Sequence, residues 1–229
     1  MTTITSPPAP STLHVARSAE RALQLLDVVV SAGRMPLGEA AKAVDLPTST
    51  ALRHLRALEQ HGWLDRDDAG RFSAGPAFLR LALASLREGP VAHLTAVAQP
   101  HLDRLAEATG ESAYLAVRER SQAVYLTAAE SSRAIRHTGW VGRTVPLDIT
   151  AVGAALTGDG SPVAHRNVGA VEPDVSAAVA PVVGPDGDVV AASSVLGPAQ
   201  RLKGKALDAT ATDVLAAAEA LGRDLRGRA

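Results

Sequence analysis

Residues 47–73 decide the fold of the amino-terminal part of the chain, and they read PTSTALRHLRALEQHGWLDRDDAGRFS. The first half of this stretch predicts a helix that begins at a cap, Thr48 or Ser49, just after a proline. Gly62 ends the predicted helix, because a residue without a Cβ atom adopts the conformation of a helix end most easily. The apolar residues recur at three-residue steps and mark one buried stripe: Leu52, Leu55 and Leu58.

The second half of the stretch predicts a small antiparallel hairpin. Leu64–Arg66 and Arg71–Ser73 are expected to pair across Asp67–Gly70, which is a typical turn sequence. A basic helix followed by a basic hairpin is typical of a module that binds a DNA duplex.

Two further helices are predicted before this stretch. Arg17–Ala32 has an apolar face and ends at Gly33, and Leu37–Val44 is short, with an extended piece at residues 35–37 between them. Three helices and a hairpin predict a winged helix-turn-helix over residues 14–76. Residues 1–13 are rich in proline, serine and threonine and are interpreted as a disordered tail.

The residues expected to contact double-stranded DNA are small polar and basic side chains near the start of the third helix, with one arginine from the hairpin. They are Thr48, Ser49, Thr50, Arg53, His54 and Arg71. The alternative for the helix residues is an ordinary solvated face. Arg53 could reach either a phosphate or a guanine edge, and Arg71 either the DNA backbone or minor groove, or simply Asp67.

Composition restricts the function classes. The net charge is −1, so DNA binding has to come from local arrangement and not from a global positive charge. The chain has no cysteine, which excludes disulfides and thiolate chemistry. No apolar stretch reaches the ~18 residues of a membrane span, and the start lacks the apolar core of a signal peptide. We therefore expect a cytoplasmic protein with no membrane partner.

The remaining chain predicts linker helices over residues 77–109 and a mixed domain over residues 110–229. Gly89 and Pro90 interrupt the linker, and Pro100 is expected to kink its second helix. The mixed domain has four predicted strands, a short helix and a closing amphipathic helix, over residues 112–117, 123–128, 150–156, 177–183, 189–195 and 207–225. This order predicts an α+β fold, with a sheet backed by helices on one side.

An ordered set of short segments resembles the IclR family of bacterial transcriptional regulators, the isocitrate-lyase-regulator type. The set covers most of residues 17–225 and consists of Ser18–Leu26, Leu46–Thr50, Leu58–Leu64, Gly70–Pro76, Leu105–Glu111, Val141–Leu147, Ala180–Val182 and Val195–Leu202. The resemblance implies an amino-terminal winged helix, a linker helix and a carboxy-terminal domain that binds a small-molecule effector. It also implies a homodimer or a dimer of dimers that represses or activates operons, often for the catabolism of organic acids and aromatic compounds.

The resemblance also implies an effector pocket, to which the scarce aromatic residues could contribute. The residues expected to line it are Tyr114, Trp140, Thr150, Ala151, Val152, Ala177, Ser194 and Leu196. For Tyr114 and Trp140, a place in the core or at an interface is an open alternative. Ala177 and Leu196 are apolar where the family often has a cysteine and a serine, which favours a larger or less polar ligand than glyoxylate or pyruvate.

The segment between Leu156 and Ala177 departs from the family pattern. Only about twenty residues stand where the family has several helices, so a loop is expected and roughly half of the usual lid is missing. This leaves an alternative function, a DNA-binding regulator whose shortened domain serves only for oligomerisation. An enzyme is the third hypothesis, disfavoured because no nucleophile, phosphate-loop or dinucleotide motif, metal-ligand spacing or cofactor site occurs in the sequence.

Overall fold

The computed structural model describes residues 16–227 of the 229-residue chain, apart from the side chains of residues 86–88. The chain divides into two compact units, the first ending at Arg87 and the second beginning at Glu88. The boundary falls inside the segment 77–109 that was expected to be a linker. The predicted disordered tail, residues 1–13, lies outside the described residues.

The first unit has the predicted winged helix-turn-helix architecture. Its elements are α1 (Arg17–Ser31), β1 (Arg34–Pro36), α2 (Leu37–Ala43), α3 (Thr48–Gln60), β2 (Leu64–Arg66), β3 (Arg71–Ala74) and α4 (Pro76–Glu88). The three strands form one antiparallel sheet in the order β1-β3-β2. The hairpin turns at Gly70, whose φ of 77° suits a residue without a Cβ atom.

One small hydrophobic core holds these elements together. Leu25 and Val29 lie one helical turn apart on α1 and are fully buried. They pack with Leu55 of α3 and with Leu64 and Phe72 of the hairpin. Burial of a large apolar side chain contributes roughly 1.5–3 kcal/mol, so these contacts orient α3 and the hairpin as one body.

The second unit is a six-stranded antiparallel sheet with three helices. Its elements are α5 (Pro90–Thr109), β4 (Ser112–Glu119), β5 (Gln122–Ala129), β6 (Thr144–Pro146), α6 (Ala151–Thr157), β7 (His165–Val168), β8 (Val175–Val183), β9 (Val189–Pro198) and α7 (Gly204–Gly227). The strand order is β6-β5-β4-β9-β8-β7. The helix α5 runs through Pro100 without a break and ends at Gly110, which has a φ of 68°.

The α+β fold is confirmed, but two details of the prediction are wrong. Helices lie on both faces of the sheet, because α6 packs on the face opposite to α5 and α7. The segment between Leu156 and Ala177 is not only a loop, since it contains β7, which pairs with β8 at the edge of the sheet. A short edge strand forms by pairing with its neighbour in the sheet, and its own sequence carries little signal.

Alternation along β4 divides the core of the second unit into two layers. Ala113 and Leu115 belong to the layer that contains α5 and α7, whereas Tyr114 and Ala116 belong to the layer that contains α6. The second layer also holds aromatic residues from β5 and from the loop before β6. A candidate ligand site lies in that layer.

Candidate functional site in each unit

The exposed face of α3 is the candidate nucleic-acid interface of the first unit. Thr48, Ser49, Arg53 and Arg56 are exposed there, and Thr50 is half-buried. Ser49, Arg53 and Arg56 follow one another at four- and three-residue steps, so they share one face of the helix. Arg56 is not among the residues expected from the sequence to contact DNA, but it lies beside Arg53 on this face.

The start of α3 differs from the prediction. Pro47 occupies the cap position, and neither Thr48 nor Ser49 caps the helix with its side chain. The first amides that donate to Pro47 belong to Thr50 and Ala51, at 2.9 and 3.0 Å. The amides of Thr48 and Ser49 precede these bonds, at the helix end that favours a phosphate group.

His54 does not belong to the exposed face. Only 7% of the residue is exposed, and it lies beside Leu55 within the packed side of α3. Burial, together with the charges of Arg53 and Arg21, lowers the pKa of His54 below its usual value. Because the ring is buried and favoured in its neutral form, His54 is withdrawn from the set of DNA-contacting residues.

Arg71 is engaged within the hairpin. Its Nε and Nη2 atoms each lie 2.9 Å from Oδ2 of Asp67, and its backbone amide donates to Oδ1 at 2.8 Å. These contacts hold the pKa of Asp67 below its usual range. The alternative in which Arg71 simply pairs with Asp67 therefore describes the geometry.

The hairpin is less basic than expected. Over residues 64–73 the three aspartates Asp65, Asp67 and Asp68 outnumber Arg66 and Arg71, so the hairpin has a net charge of −1. Arg66 lies over the ring of Phe72, 5.3 Å from its centroid. The hairpin therefore contributes less positive charge for DNA than α3, on which Arg53 and Arg56 are exposed.

The second unit contains a pocket in the aromatic layer beneath β7 and β8. It brings together five of the eight residues expected to line an effector site, namely Trp140, Thr150, Val152, Ala177 and Leu196. Other lining residues were not predicted: Tyr125, His137, Val145, Asn167, Ala170, Val171, Glu172, Val175 and Val179. The free volume is about 30 Å³, room for roughly two water molecules.

Three expected residues lie behind the pocket wall and do not line it. Tyr114 is fully buried, and its ring meets the rings of Tyr125 and His137 edge-on, with centroids 5.6 and 5.3 Å apart. Ser194 is fully buried opposite Tyr114 in the sheet. Ala151 is buried at the start of α6. Strand alternation places Ser194 on the same face of β9 as the lining residue Leu196, but Ser194 is fully buried and does not reach the pocket.

His137 is the polar centre of the pocket wall. Its Nδ1 atom lies 2.9 Å from the hydroxyl oxygen of Tyr114, which is also 3.0 Å from the carbonyl oxygen of His137. Its Nε2 atom is buried, has no hydrogen-bond partner among the described residues, and lies 3.6 Å from Oε2 of Glu172. No local pattern in the sequence points to this histidine, since a coil segment positions it.

The segment that carries His137 is anchored at the junction of α5 and β4. Ser112 donates its hydroxyl to the carbonyl oxygen of His137 at 2.6 Å and accepts from the amide of Ser131 at 3.0 Å. Ser131 donates to the carbonyl oxygen of Gly110 at 2.7 Å. The position of His137 is therefore fixed by the protein itself.

Few charged groups line the pocket. Burial, with the charge of Arg143, lowers the pKa of His137 to about 4, so the ring is neutral near pH 7. Glu172, half-exposed, is the one charged residue among the lining residues. Arg143 is exposed and lies over Trp140, 5.9 Å from its ring centroid. An arriving molecule therefore meets aromatic and aliphatic surface and four other polar groups, those of His137, Thr150, Asn167 and Glu172.

Within residues 16–227, no group of three histidine, cysteine, aspartate or glutamate side chains could hold a metal ion. In the same part of the chain, none of the helices is both long enough and apolar enough to span a membrane.

Two family models match the chain. The IclR helix-turn-helix domain matches residues 18–68, and the carboxy-terminal domain of the bacterial transcriptional regulator IclR matches residues 90–161. Curated relatives include the glycerol operon regulatory protein of Streptomyces coelicolor, 33% identical over 151 residues, which are 65% of this chain and 58% of the relative. The transcriptional regulator BhcR of Paracoccus denitrificans is 31% identical over 64% of this chain and 52% of its own length.

The matched stretch thus spans about half the length of these curated relatives. Among solved structures, an IclR transcriptional regulator from Silicibacter superposes with a TM-score of 0.75 at 19% identity, covering 91% of this chain and 96% of that one. An IclR homologue from Microbacterium hydrocarbonoxydans, complexed with 4-hydroxybenzoate, gives 0.73 at 22% identity and covers 92% and 99%. These likenesses establish the fold. The winged helix-turn-helix, the six-stranded sheet domain and both family matches place this chain in the IclR family, whose members are named transcriptional regulators or repressors.

Proposed function

We propose that this chain is a sequence-specific DNA-binding transcriptional regulator whose operator affinity is controlled by a small-molecule effector. One observation carries the proposal: a single chain joins an exposed basic helix face at Arg53 to a second unit with a pocket around His137. Nucleic-acid contact and ligand binding are thereby assigned to different units of one protein.

The proposed DNA contacts are Thr48, Ser49, Thr50, Arg53 and Arg56 of α3. Arg53 is exposed and free to reach a guanine edge or a phosphate in the major groove. The amides at the start of α3 suit a phosphate, which fixes the register of the helix on the duplex. Arg71 supports the hairpin through Asp67 and has a smaller share in the contact.

The proposed assembly is a homodimer or a dimer of dimers. Support comes from α4, on which Leu79, Leu81 and Leu83 are 59%, 45% and 53% exposed. Leu79 and Leu83 are four residues apart and share one face of the helix, which suits packing against a second copy. A dimer would place two α3 helices in successive major grooves, roughly 34 Å apart, on a near-palindromic operator.

The proposed effector is a catabolic organic acid or an aromatic compound. Tyr125, His137 and Trp140 give the pocket aromatic walls, and a solved relative was crystallised with 4-hydroxybenzoate. Ligand binding is proposed to act on DNA affinity through the helices α4 and α5. A coupling of about 1–3 kcal/mol between the two sites would change the affinity about 5–150-fold.

The substitution Arg53→Ala tests the DNA contact. The full chain would first select an operator from random duplex DNA, and electrophoretic mobility shift would then give the dissociation constant. We expect the variant to bind at least ~10-fold more weakly, because an arginine contact to a base is worth about 1–3 kcal/mol. Arg166→Ala, an exposed arginine of the second unit, is the matched control. Equal operator affinity of the Arg53 variant and the parent would contradict the contact assignment.

The small free volume of the pocket favours a second candidate, in which the second unit serves only for oligomerisation. The two candidates differ in thermal unfolding. A ligand at 100 times its dissociation constant stabilises by about 2.7 kcal/mol and raises the unfolding temperature. An effector that raises this temperature and also changes operator affinity supports the first candidate, and binding without an effect on DNA contradicts it.

A further inference from the structure

The pocket holds a pair of polar groups that face one another without bonding. Nε2 of His137 and Oε2 of Glu172 are 3.6 Å apart, beyond the length of a direct hydrogen bond. The side chain of His137 is only 3% exposed, and its Nε2 has no partner among the described residues. Buried polar atoms nearly always have a partner, so this atom points to a group supplied from outside the chain.

The proton arrangement of His137 follows from its surroundings. The hydroxyl of Tyr114 has one proton for two acceptors, Nδ1 and the carbonyl oxygen of His137, and the carbonyl already receives the proton of Ser112. In one neutral form Nδ1–H donates to the hydroxyl oxygen of Tyr114, which donates to the carbonyl oxygen of His137; in the other, Tyr114 donates to Nδ1 and Nε2 carries the hydrogen. The carboxylate of Glu172 beside Nε2 favours the second form.

In this arrangement the pair offers one donor and one acceptor toward the same point. Nε2–H donates, and the carboxylate oxygen of Glu172 accepts. A hydroxyl group satisfies both, because its oxygen accepts one hydrogen bond while its hydrogen is donated in another. A methyl or ether group leaves at least one partner unsatisfied, and a carboxylate placed there meets the negative charge of Glu172.

We propose that His137 and Glu172 form a clamp for a hydroxyl group, so that the pocket selects hydroxylated aromatic molecules over otherwise identical ones that lack the hydroxyl. This inference rests on the proposed function, in that it assumes that the pocket, whose free volume is about 30 Å³, opens further to admit an aromatic ring. The aromatic ring of the ligand packs against Tyr125 and Trp140, and the clamp binds the hydroxyl group of that ring. Glu172 comes from the segment between β7 and β8 and joins the clamp from the outer wall.

Matched probe pairs test the clamp on the full chain. Isothermal titration calorimetry would compare 4-hydroxybenzoate with 4-methylbenzoate, and 4-hydroxybenzonitrile with 4-methylbenzonitrile. Each pair differs only in hydroxyl against methyl, and the second pair removes the carboxylate from the comparison. We expect the hydroxyl member of each pair to bind at least ~10-fold more tightly, since a site built to bond a hydroxyl rejects analogues that lack it.

Two variants test whether Glu172 and His137 cause the preference for hydroxyl over methyl. Glu172→Gln replaces the carboxylate by a neutral amide, and His137→Asn keeps a polar atom near the position of Nδ1 but has none at the position of Nε2. Both are expected to reduce the hydroxyl-to-methyl ratio to within ~3-fold. Glu219→Gln, at an exposed carboxylate on α7, is the control and should leave the ratio unchanged.

Nitrogen-15 spectra of the histidine rings test the arrangement without any ligand, and the Nε2–H form is expected for His137. The proposal is overturned by the Nδ1–H form, by equal binding within both pairs, by a ratio that neither variant changes, or by no binding of any probe at millimolar concentration. Operator binding by the same variants distinguishes a failure of the clamp proposal from a failure of the proposed function. Both clamp variants should bind operator as the parent does when no probe is present. Weaker operator binding by either variant would instead contradict the proposal that the first unit binds DNA and the second unit binds the ligand.

Discussion

Arg201 and Glu111 form a two-point ion pair beside the segment that carries His137. Nε of Arg201 lies 2.7 Å from Oε1 of Glu111, and Nη2 lies 2.9 Å from Oε2. The same Nη2 atom also donates to the carbonyl oxygen of Ile135 at 2.9 Å. The side chain of Glu111 is only 5% exposed, whereas that of Arg201 is 33% exposed. One arginine therefore neutralises a buried carboxylate and holds the coil before His137.

Removal of this arginine should destabilise the second unit. In Arg201→Ala the carboxylate of Glu111 stays buried without its partner, and we expect a loss of about 2–3 kcal/mol in the free energy of unfolding. Urea denaturation followed by circular dichroism measures it. Arg166→Ala breaks an exposed pair with Asp208 and should cost less than about 1 kcal/mol. Equal effects of the two substitutions would contradict the structural role assigned to Arg201.

Gly153 allows α6 to approach the preceding turn. A Cβ atom at this position would lie 1.8 Å from the carbonyl oxygen of Leu147, which is backbone and cannot rotate away. We expect Gly153→Ala to cost about 3 kcal/mol or more, because either α6 or the turn has to shift. The pocket residues Thr150 and Val152 should move with it. Thermal denaturation gives the change in stability.

Gly38→Ala is the matched control for that substitution. Gly38 lies in α2, and nothing would be within 4 Å of a Cβ atom there. Alanine in a helix is favoured over glycine by roughly 0.5–1 kcal/mol, so this variant should be slightly stabilised. A destabilised Gly38 variant, or a Gly153 variant as stable as the parent, would count against the packing described for these helices.

His137 should make stability depend on pH. Its folded pKa of about 4 is below the unfolded value of 6.5, so the folded state binds fewer protons than the unfolded state between these values. Stability is complete above pH 6.5 and falls as the pH is lowered toward 4, by about 3 kcal/mol at most. Tyr114 and Glu172 lie beside the ring, and Arg143 acts on it through its charge.

The variant His137→Asn should lose most of this dependence between pH 4 and 6.5. His93→Gln removes a histidine of α5 that is exposed, and its pH profile should match that of the parent. Denaturant midpoints measured at half-unit pH steps compare the three proteins. A parent profile that is flat over this range would contradict the burial of His137 as a neutral ring.

The exposed leucines of α4 predict the oligomeric state. Leu79→Glu and Leu83→Glu together place two charges on the face proposed to pack against a second copy. We expect a shift toward monomer in analytical ultracentrifugation and at least ~10-fold weaker operator binding, because two half-sites are no longer bound together. Val168→Glu, on an exposed position of β7, is the control. An unchanged sedimentation profile of the double variant would place the interface elsewhere.

Much of the fold could be predicted because its signals are local. Apolar spacing and terminal glycines give α1, α3 and α5 to within a residue or two, and Gly184–Gly187 marks the turn between β8 and β9. The strands β6 and β7 could not be predicted in this way. Each is only three or four residues long and exists because β5 or β8 offers it an unpaired edge.

The residues of the candidate sites also divide into those that local sequence patterns predict and those that they do not. Arg53 stands on a face that helix periodicity defines, and the burial of His54 could have been found there, since His54 is three residues after Ala51 and four before Leu58. Glu172 lies in the connection between β7 and β8 and meets His137, 35 residues earlier in the chain, only through the tertiary fold. Local sequence patterns therefore could not predict the residues that are proposed to bind a ligand.

The anchors of the coil before Trp140 have a kinetic consequence. Three consecutive residues, Gly110, Glu111 and Ser112, hold this coil through Ser131, Arg201 and the carbonyl oxygen of His137. Because the anchors adjoin one another, the coil is expected to open as one cooperative segment and not residue by residue. The rate of that opening, measurable by hydrogen exchange at the amide of Ser131, sets how often the wall of the pocket that carries His137 is exposed.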